Sequence, residues 1–242
     1  MNIINVKDYQ EMSERAGELL IDKVNKNKKT VLSLATGSTP EGMYAYIIEK
    51  YKEGAVSFAD VQTFNLDEYV GLDENDSNSY TYYMKNLLFN HIDLQHENAH
   101  LPNGTAKNLK EECQVYEQKM EQAGKVDLQV LGIGLNGHIG FNEPGTSFES
   151  KTHIVDLDES TRQANARFFK SLDNVPTQAI TMGIETIMNS KEILMLISGE
   201  KKAETVAKLL EGKVTETFPA SILHRHPNAT IIVDQAAYAK VK

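Results

Sequence analysis

Cysteine is nearly absent from this chain, with Cys113 the only one in 242 residues. An internal disulfide is excluded, and a single thiol fits a reducing compartment. No apolar run approaches the roughly 18 residues that a membrane span requires. Residues 1–9 also lack the basic start and apolar centre of a signal peptide. These absences predict a cytoplasmic protein with no membrane partner. Basic charge is scarce too: the formal net charge is −9, and the longest basic cluster is the short stretch 26–29. A nucleic-acid binder needs a basic face to neutralise phosphates, so that class is disfavoured. Any anionic ligand must then be held by a few local donors.

What is present is enough for one substantial core, with 40% hydrophobic and 24% charged residues. Short, apolar, mostly β-branched runs at 30–34, 61–66, 126–132, 192–197 and 230–233 read as strands buried on both faces. Periodic segments at 8–25, 40–51, 80–89, 108–122 and 201–210 read as helices. Cys113 falls inside the fourth of these, which makes it a helix residue rather than a nucleophile. Strands separated by helices imply right-handed crossovers. The expected fold is α/β: a single-domain, doubly wound, mostly parallel sheet with helices on both faces, Rossmann-like, spanning 1–242. There is no internal repeat, low-complexity tract or linker. In such sheets the site lies beyond the carboxyl ends of the strands.

Four strand ends carry candidate chemistry. The first runs through A-T-G-S-T-P at 35–40 into a helix, with Ser38 and Thr39 as expected hydroxyl caps before Pro40. Gly37, Ser38 and Thr39 there suit a phosphate seat or simply a capped helix start. The second ends in N-L-D-E-Y at 65–69. Asp67 and Glu68 must point to opposite sides of an extended chain, and they are either site carboxylates or solvated loop acids. The third segment, G-I-G-L-N-G-H-I-G-F-N-E-P at 132–144, is too rich in glycine for a regular element and suits a backbone bent around a small ligand. His138 and Glu143 within it form the usual apparatus for moving a proton off a hydroxyl. Lys202 follows the fourth strand, and Arg167 precedes it; both could hold phosphate. His96, His100, His224 and His226 lack supporting ligands at metal-binding spacing, so no required metal is expected.

Taken together these segments resemble the glucosamine-6-phosphate deaminase family. The matching stretches are A-T-G-S-T-P at 35–40, F-N-L-D-E-Y-V-G-L at 64–72, the glycine-rich segment at 132–144, R-F-F at 167–169 and G-E-K-K-A at 199–203. The resemblance implies an enzyme turning glucosamine 6-phosphate and water into fructose 6-phosphate and ammonia, without a redox or carbanion-sink cofactor. It implies that Asp67 moves the proton between C2 and C1. It makes His138 the ring-opening acid and base, supported by Glu143 and Asn136. Gly37, Ser38 and Thr39, with Arg167 and Lys202, match the phosphate site, and 157–177 looks like the family's mobile lid. The nearest enzymatic rival is a 6-phosphogluconolactonase-like hydrolase, which needs no C2 base. A rival of another class is a non-catalytic sugar-phosphate sensor, which would have lost its proton-transfer groups.

Two departures from the family pattern stand out. Asn136 replaces the Asp that many members carry, so the proton relay rests more on Glu143. Longer members are hexamers with an allosteric site for N-acetylglucosamine 6-phosphate, lined by basic residues after a turn that here reads G-T-S-F at 145–148. His153 and Val155 stand where those basic side chains would sit, and the chain ends at Lys242. A monomer or small homo-oligomer is expected. An effector shifts an equilibrium only through differential contacts with two states. Steady-state kinetics should therefore be hyperbolic and unmoved by N-acetylglucosamine 6-phosphate. A sigmoidal rate curve that this compound makes hyperbolic would contradict that expectation.

Overall fold

The first long helix shows how directly the sequence sets its elements. Asp8 caps it by accepting from Glu11 N at 3.0 Å, and Lys23 and Lys26 sit in its last turn, where they complement the helix dipole. Met12, Ala16, Leu20 and Val24, spaced by four, form its buried stripe. In this computed structural model, which describes residues 1–157, 162–163, 169 and 171–241, that helix is α1 (Tyr9–Lys26). The other long helices are α2 (Glu41–Lys52), α3 (Tyr80–Leu87) and α4 (Leu109–Ala123). Later come α5 (Ile184–Met188), α6 (Ala203–Leu210) and α7 (Gln235–Tyr238). The five periodic segments of the sequence correspond to α1, α2, α3, α4 and α6, with ends shifted by one or two residues.

The strands are more numerous than the apolar runs suggested. The main ones are β1 (Asn2–Val6), β2 (Val31–Leu34), β3 (Gln62–Asn65), β5 (Ala99–His100), β6 (Leu128–Leu131), β9 (Ile193–Ile197) and β10 (Ala229–Asp234). They form a seven-stranded sheet in the order β1-β10-β9-β6-β2-β3-β5, with every pairing parallel. The fold is α/β, a parallel sheet flanked by helices, as expected. The central strands V-L-S-L, L-Q-V-L and I-L-M-L-I are buried at every residue. From β2 the chain winds outward through β3 to β5. It then returns to the other side of β2 as β6 and winds outward through β9 and β10. The order reverses between β2 and β6, and a crevice at such a switch point is where open α/β sheets bind ligands.

A second, antiparallel sheet was not foreseen. It consists of β4 (Asp67–Tyr69), β8 (Gln178–Thr181) and β7 (His153–Asp156), in the order β4-β8-β7. Only Leu66 separates β3 from β4, so the chain leaves one sheet and enters the other at that residue. Leu66 joins them physically: its N–H donates to Leu34 O at 3.3 Å, and its carbonyl accepts from Met182 N at 2.7 Å. A small apolar cluster of Tyr69, Phe141, Leu157 and Ala179 fills the second sheet's inner side. The stretch 157–177, expected as a lid, lies partly outside the described residues.

Candidate active site

The Leu66 crossover places both acids of N-L-D-E-Y in the interior. Asp67 is 6% exposed and Glu68 2%, so neither is a solvated loop acid, and both belong to β4 rather than to a loop after β3. Alternation sends them to different surroundings. Glu68 accepts from Tyr80 N at 2.9 Å, Thr81 N at 2.8 Å, Thr81 Oγ1 at 2.9 Å and Tyr69 N at 2.9 Å. It therefore fastens the start of α3 to β4. Burial raises its pKa, and these bonds pull it part of the way back.

Asp67 has no such support, since no hydrogen bond reaches its carboxyl among the described residues. Burial, and secondarily the charge of Glu68, push its pKa up to about 8. A carboxyl in this state is a far stronger base, once ionised, than a solvated one. Tyr69, Tyr80, Phe141 and Phe169 build the aromatic wall beside it, with ring centroids 4.8–6.2 Å apart. The Tyr80 hydroxyl donates to Tyr69 Oη at 3.2 Å and is also bonded to the Thr36 side chain.

The glycine-rich segment leaves β6 and doubles back on itself. Gly134 N donates to His138 O at 2.9 Å, and Gly137 N to Gly134 O at 3.0 Å. The imidazole of His138 lies on Gly134, where a Cβ would come within 2.2 Å of the ring. Gly137, at φ +88°, sits against the ring of Phe218, so it needs both the left-handed conformation and the missing side chain. Asn136 spans the turn: its Nδ2 donates to Glu143 Oε2 at 2.6 Å, and its Oδ1 accepts from His138 N at 3.2 Å. Glu143 Oε1 lies 3.3 Å from His138 Nδ1. The two lie close, but the contact does not meet hydrogen-bond geometry at Nδ1. The structure thus gathers Asn136, His138 and Glu143 into one cluster.

The same segment also reaches Asp67. Thr181 pairs opposite Asp67 in the second sheet, and its Oγ1 accepts from Phe141 N at 3.1 Å. A Cβ on Gly140 would stand 3.6 Å from Asp67 Oδ2. Thr181 is therefore a positioning residue that the sequence reading missed. It lies more than a hundred positions from Asp67 in the chain, in a run without a motif.

At the phosphate-seat candidate, Pro40 itself is the N-cap of α2 and no side chain caps the helix. The expected caps Ser38 and Thr39 are thus free of that task, which corrects the reading of a hydroxyl-capped start. Lys202 Nζ donates to Ile133 O at 2.6 Å, at the entrance to the glycine-rich segment. Burial lowers its pKa, and it pairs with no carboxylate among the described residues. The turn before it is anchored by Asp234, which accepts from Ser198 Oγ at 2.5 Å and Gly199 N at 3.0 Å. Arg167 lies outside the described residues. His224 and His226 bond backbone carbonyls of Leu209 and Ser190, and His100 stacks on Phe64 with centroids 4.6 Å apart.

A parallel sheet with a glycine-rich loop after β6 and a buried carboxyl just beyond β3 defines an α/β protein with a candidate ligand site at its strand ends, and comparison with known proteins narrows the class. Residues 7–232 match the family of glucosamine-6-phosphate isomerases and 6-phosphogluconolactonases, and the chain belongs to that family. It is 61% identical to a glucosamine-6-phosphate deaminase of Oceanobacillus iheyensis over 98% of this chain and 95% of that one. It is 51% identical to glucosamine-6-phosphate deaminase 1 of Bacillus subtilis, over 98% of each chain. A solved structure of a monomeric glucosamine-6-phosphate deaminase superposes with a TM-score of 0.97 at 50% identity, covering 99% of this chain and 100% of that one. A 6-phosphogluconolactonase from Thermotoga maritima superposes with a TM-score of 0.76 at 20% identity, over 96% and 98%, and shares the fold.

The Asp67 environment has a measurable consequence for stability. The folded chain holds the Asp67 proton up to about pH 8, against a reference value of 3.8. Between those values the folded state binds the extra proton, so stability falls as pH rises through the window. Asp67→Asn removes that loss. The variant should gain on the wild type by about 1.4 kcal/mol per pH unit crossed inside the window. Denaturant unfolding of both proteins at several pH values checks this, and parallel pH dependences would contradict it.

Proposed function

We propose that the chain is a glucosamine-6-phosphate deaminase, converting glucosamine 6-phosphate and water into fructose 6-phosphate and ammonia. The observation that carries this reading is a buried Asp67 carboxyl beside the glycine-rich segment that holds the His138–Glu143 pair. Two kinds of proton transfer are then available side by side. A lactone hydrolase has no use for the first of them.

The substrate enters as a closed ring. His138 takes the proton of the C1 hydroxyl and supplies one to the ring oxygen, so the C1–O5 bond breaks and a C1 aldehyde forms. Glu143 stabilises the imidazolium, while Asn136 holds the carboxylate without adding a charge of its own. Asp67 then removes the proton from C2, the electron pair moves through C1 to the aldehyde oxygen, and that oxygen takes a proton from the C2 ammonium, giving an enolamine. With its pKa pushed up to about 8 by burial and by Glu68, Asp67 holds its proton at neutral pH until a cation lies beside it. The ammonium at C2 of the bound substrate favours its carboxylate form. Return of the proton to C1 leaves an iminium at C2. Water adds there, and the resulting carbinolamine expels ammonia to leave the ketone.

Gly37, Ser38 and Thr39 of the loop after β2 hold the phosphate, together with Lys202 and, on the family resemblance, Arg167. Lys202 supports this assignment because it is partly buried without a carboxylate partner. The phosphate is remote from C1 and C2, so its binding energy serves to position them. We further propose a cytoplasmic enzyme that is a monomer or small homo-oligomer and binds no nucleic acid. Its thiol content, its net charge and the monomeric relative support this. No helix among the described residues is long and apolar enough to cross a membrane.

The purified chain should release ammonia from glucosamine 6-phosphate and leave 6-phosphogluconolactone at its background rate. Lactone hydrolysis without ammonia release would overturn the reading. Within it, His138→Gln should slow reaction of the closed sugar by about 10²–10⁴ while sparing open-chain substrate. Equal slowing of both forms would assign His138 another role.

A further inference from the structure

Three tyrosines converge on the backbone of the loop after β2. Tyr44 Oη donates to Ala35 O at 2.5 Å, Tyr83 Oη to Gly37 O at 2.7 Å and Tyr9 Oη to Ser38 O at 3.0 Å. They come from three different helices, α2, α3 and α1. Their three hydroxyls thus ring one short stretch of backbone, from Ala35 to Ser38, as a collar. Tyr9 Oη also accepts from Gly42 N at 2.9 Å, which ties the collar to the first turn of α2. Burial holds Tyr44 and Tyr83 protonated far above neutral pH, so both stay donors.

The geometry of the peptide group gives this arrangement its meaning. No peptide bond here is cis, and in a trans peptide the carbonyl of one residue and the N–H of the next point in opposite directions. Fixing the carbonyls of Ala35, Gly37 and Ser38 on the phenols therefore turns the N–H groups of Thr36, Ser38 and Thr39 away from them. None of those three amides has an acceptor among the described residues. Successive backbone N–H groups left uncommitted and turned the same way in one short, solvent-facing loop can form an anion-binding concavity. Sequence alone does not reveal the device, because the tyrosines are up to 74 positions apart.

We propose that Tyr9, Tyr44 and Tyr83 are positioning residues that set phosphate affinity, and with it the preference for phosphorylated sugar, by aiming the amides of Thr36, Ser38 and Thr39. The proposal rests on the phosphate seat of the deaminase reading. Calorimetric binding of inorganic phosphate tests it without turnover, so a chain that binds phosphate but releases no ammonia would sink that reading and leave this one standing. Tyr83→Phe and Tyr9→Phe each remove one hydroxyl and keep the ring. Each should raise the Kd for inorganic phosphate by roughly five- to ten-fold, and the double variant by more. The ratio of kcat/KM for glucosamine 6-phosphate to that for glucosamine should fall by the same factor. A merely structural role would lower both values together. Unchanged phosphate affinity in folded variants, or equal losses on the two substrates, would overturn the proposal. Tyr9, at 38% exposed, tolerates loss of its hydroxyl with least risk to folding and carries the test if Tyr83→Phe does not fold.

Discussion

The rest of the site depends on one costly placement, a carboxyl at Asp67 that is buried and receives no hydrogen bond among the described residues. Burying a charge without a partner is unfavourable, so the group keeps its proton until something positive arrives. Several neighbouring features make that placement sustainable. Leu66 bonds both sheets, Thr181 faces Asp67 across the second sheet, and Glu68 fastens the start of α3 behind it. Without the short strand β4, Asp67 would be an ordinary loop acid with an ordinary pKa. The second sheet is small, but it holds a common side chain where burial raises its pKa.

The His138 side of the crevice is built on a different principle. There the carboxylate, Glu143, is held by an amide, and the imidazole rests on a glycine. Asn136 contributes geometry without charge, which keeps the pair from competing with a second anion for one proton. The two acids thus sit in different environments, which suits the proposed reaction, one that first opens a ring and then shifts a proton between carbons. Lys202 places a positive charge at the entrance to the glycine-rich segment, on a chain whose net charge is −9.

Much of this was legible in the sequence, for physical reasons. The runs V-L-S-L and I-L-M-L-I are too short for buried helices and sit between turn signals, which favours strands, and the stripe from Met12 to Val24 has the spacing of a helix face. The motifs named Asn136, His138 and Glu143, which lie in mutual contact, and Asp67, which the same glycine-rich segment approaches at Gly140. Other parts had no local signal. β1 is an edge strand with a polar start, β4 and β5 are two or three residues long, and β7 is half exposed, so none shows a recognisable period. The acids of β4 looked solvated because charged pairs usually are; only the crossover at Leu66 buries them. Thr181, Asp234 and the tyrosine collar act across long sequence separations, which no spacing rule can register.

Asp67 as the base at C2 is best tested by one variant read in two ways. For Asp67→Asn, ammonia release from glucosamine 6-phosphate is measured beside the affinity for fructose 6-phosphate. An amide of the same shape cannot take the C2 proton, so turnover should fall by about 10²–10⁴ while affinity is largely retained. Near-normal turnover by this variant would contradict the role of Asp67.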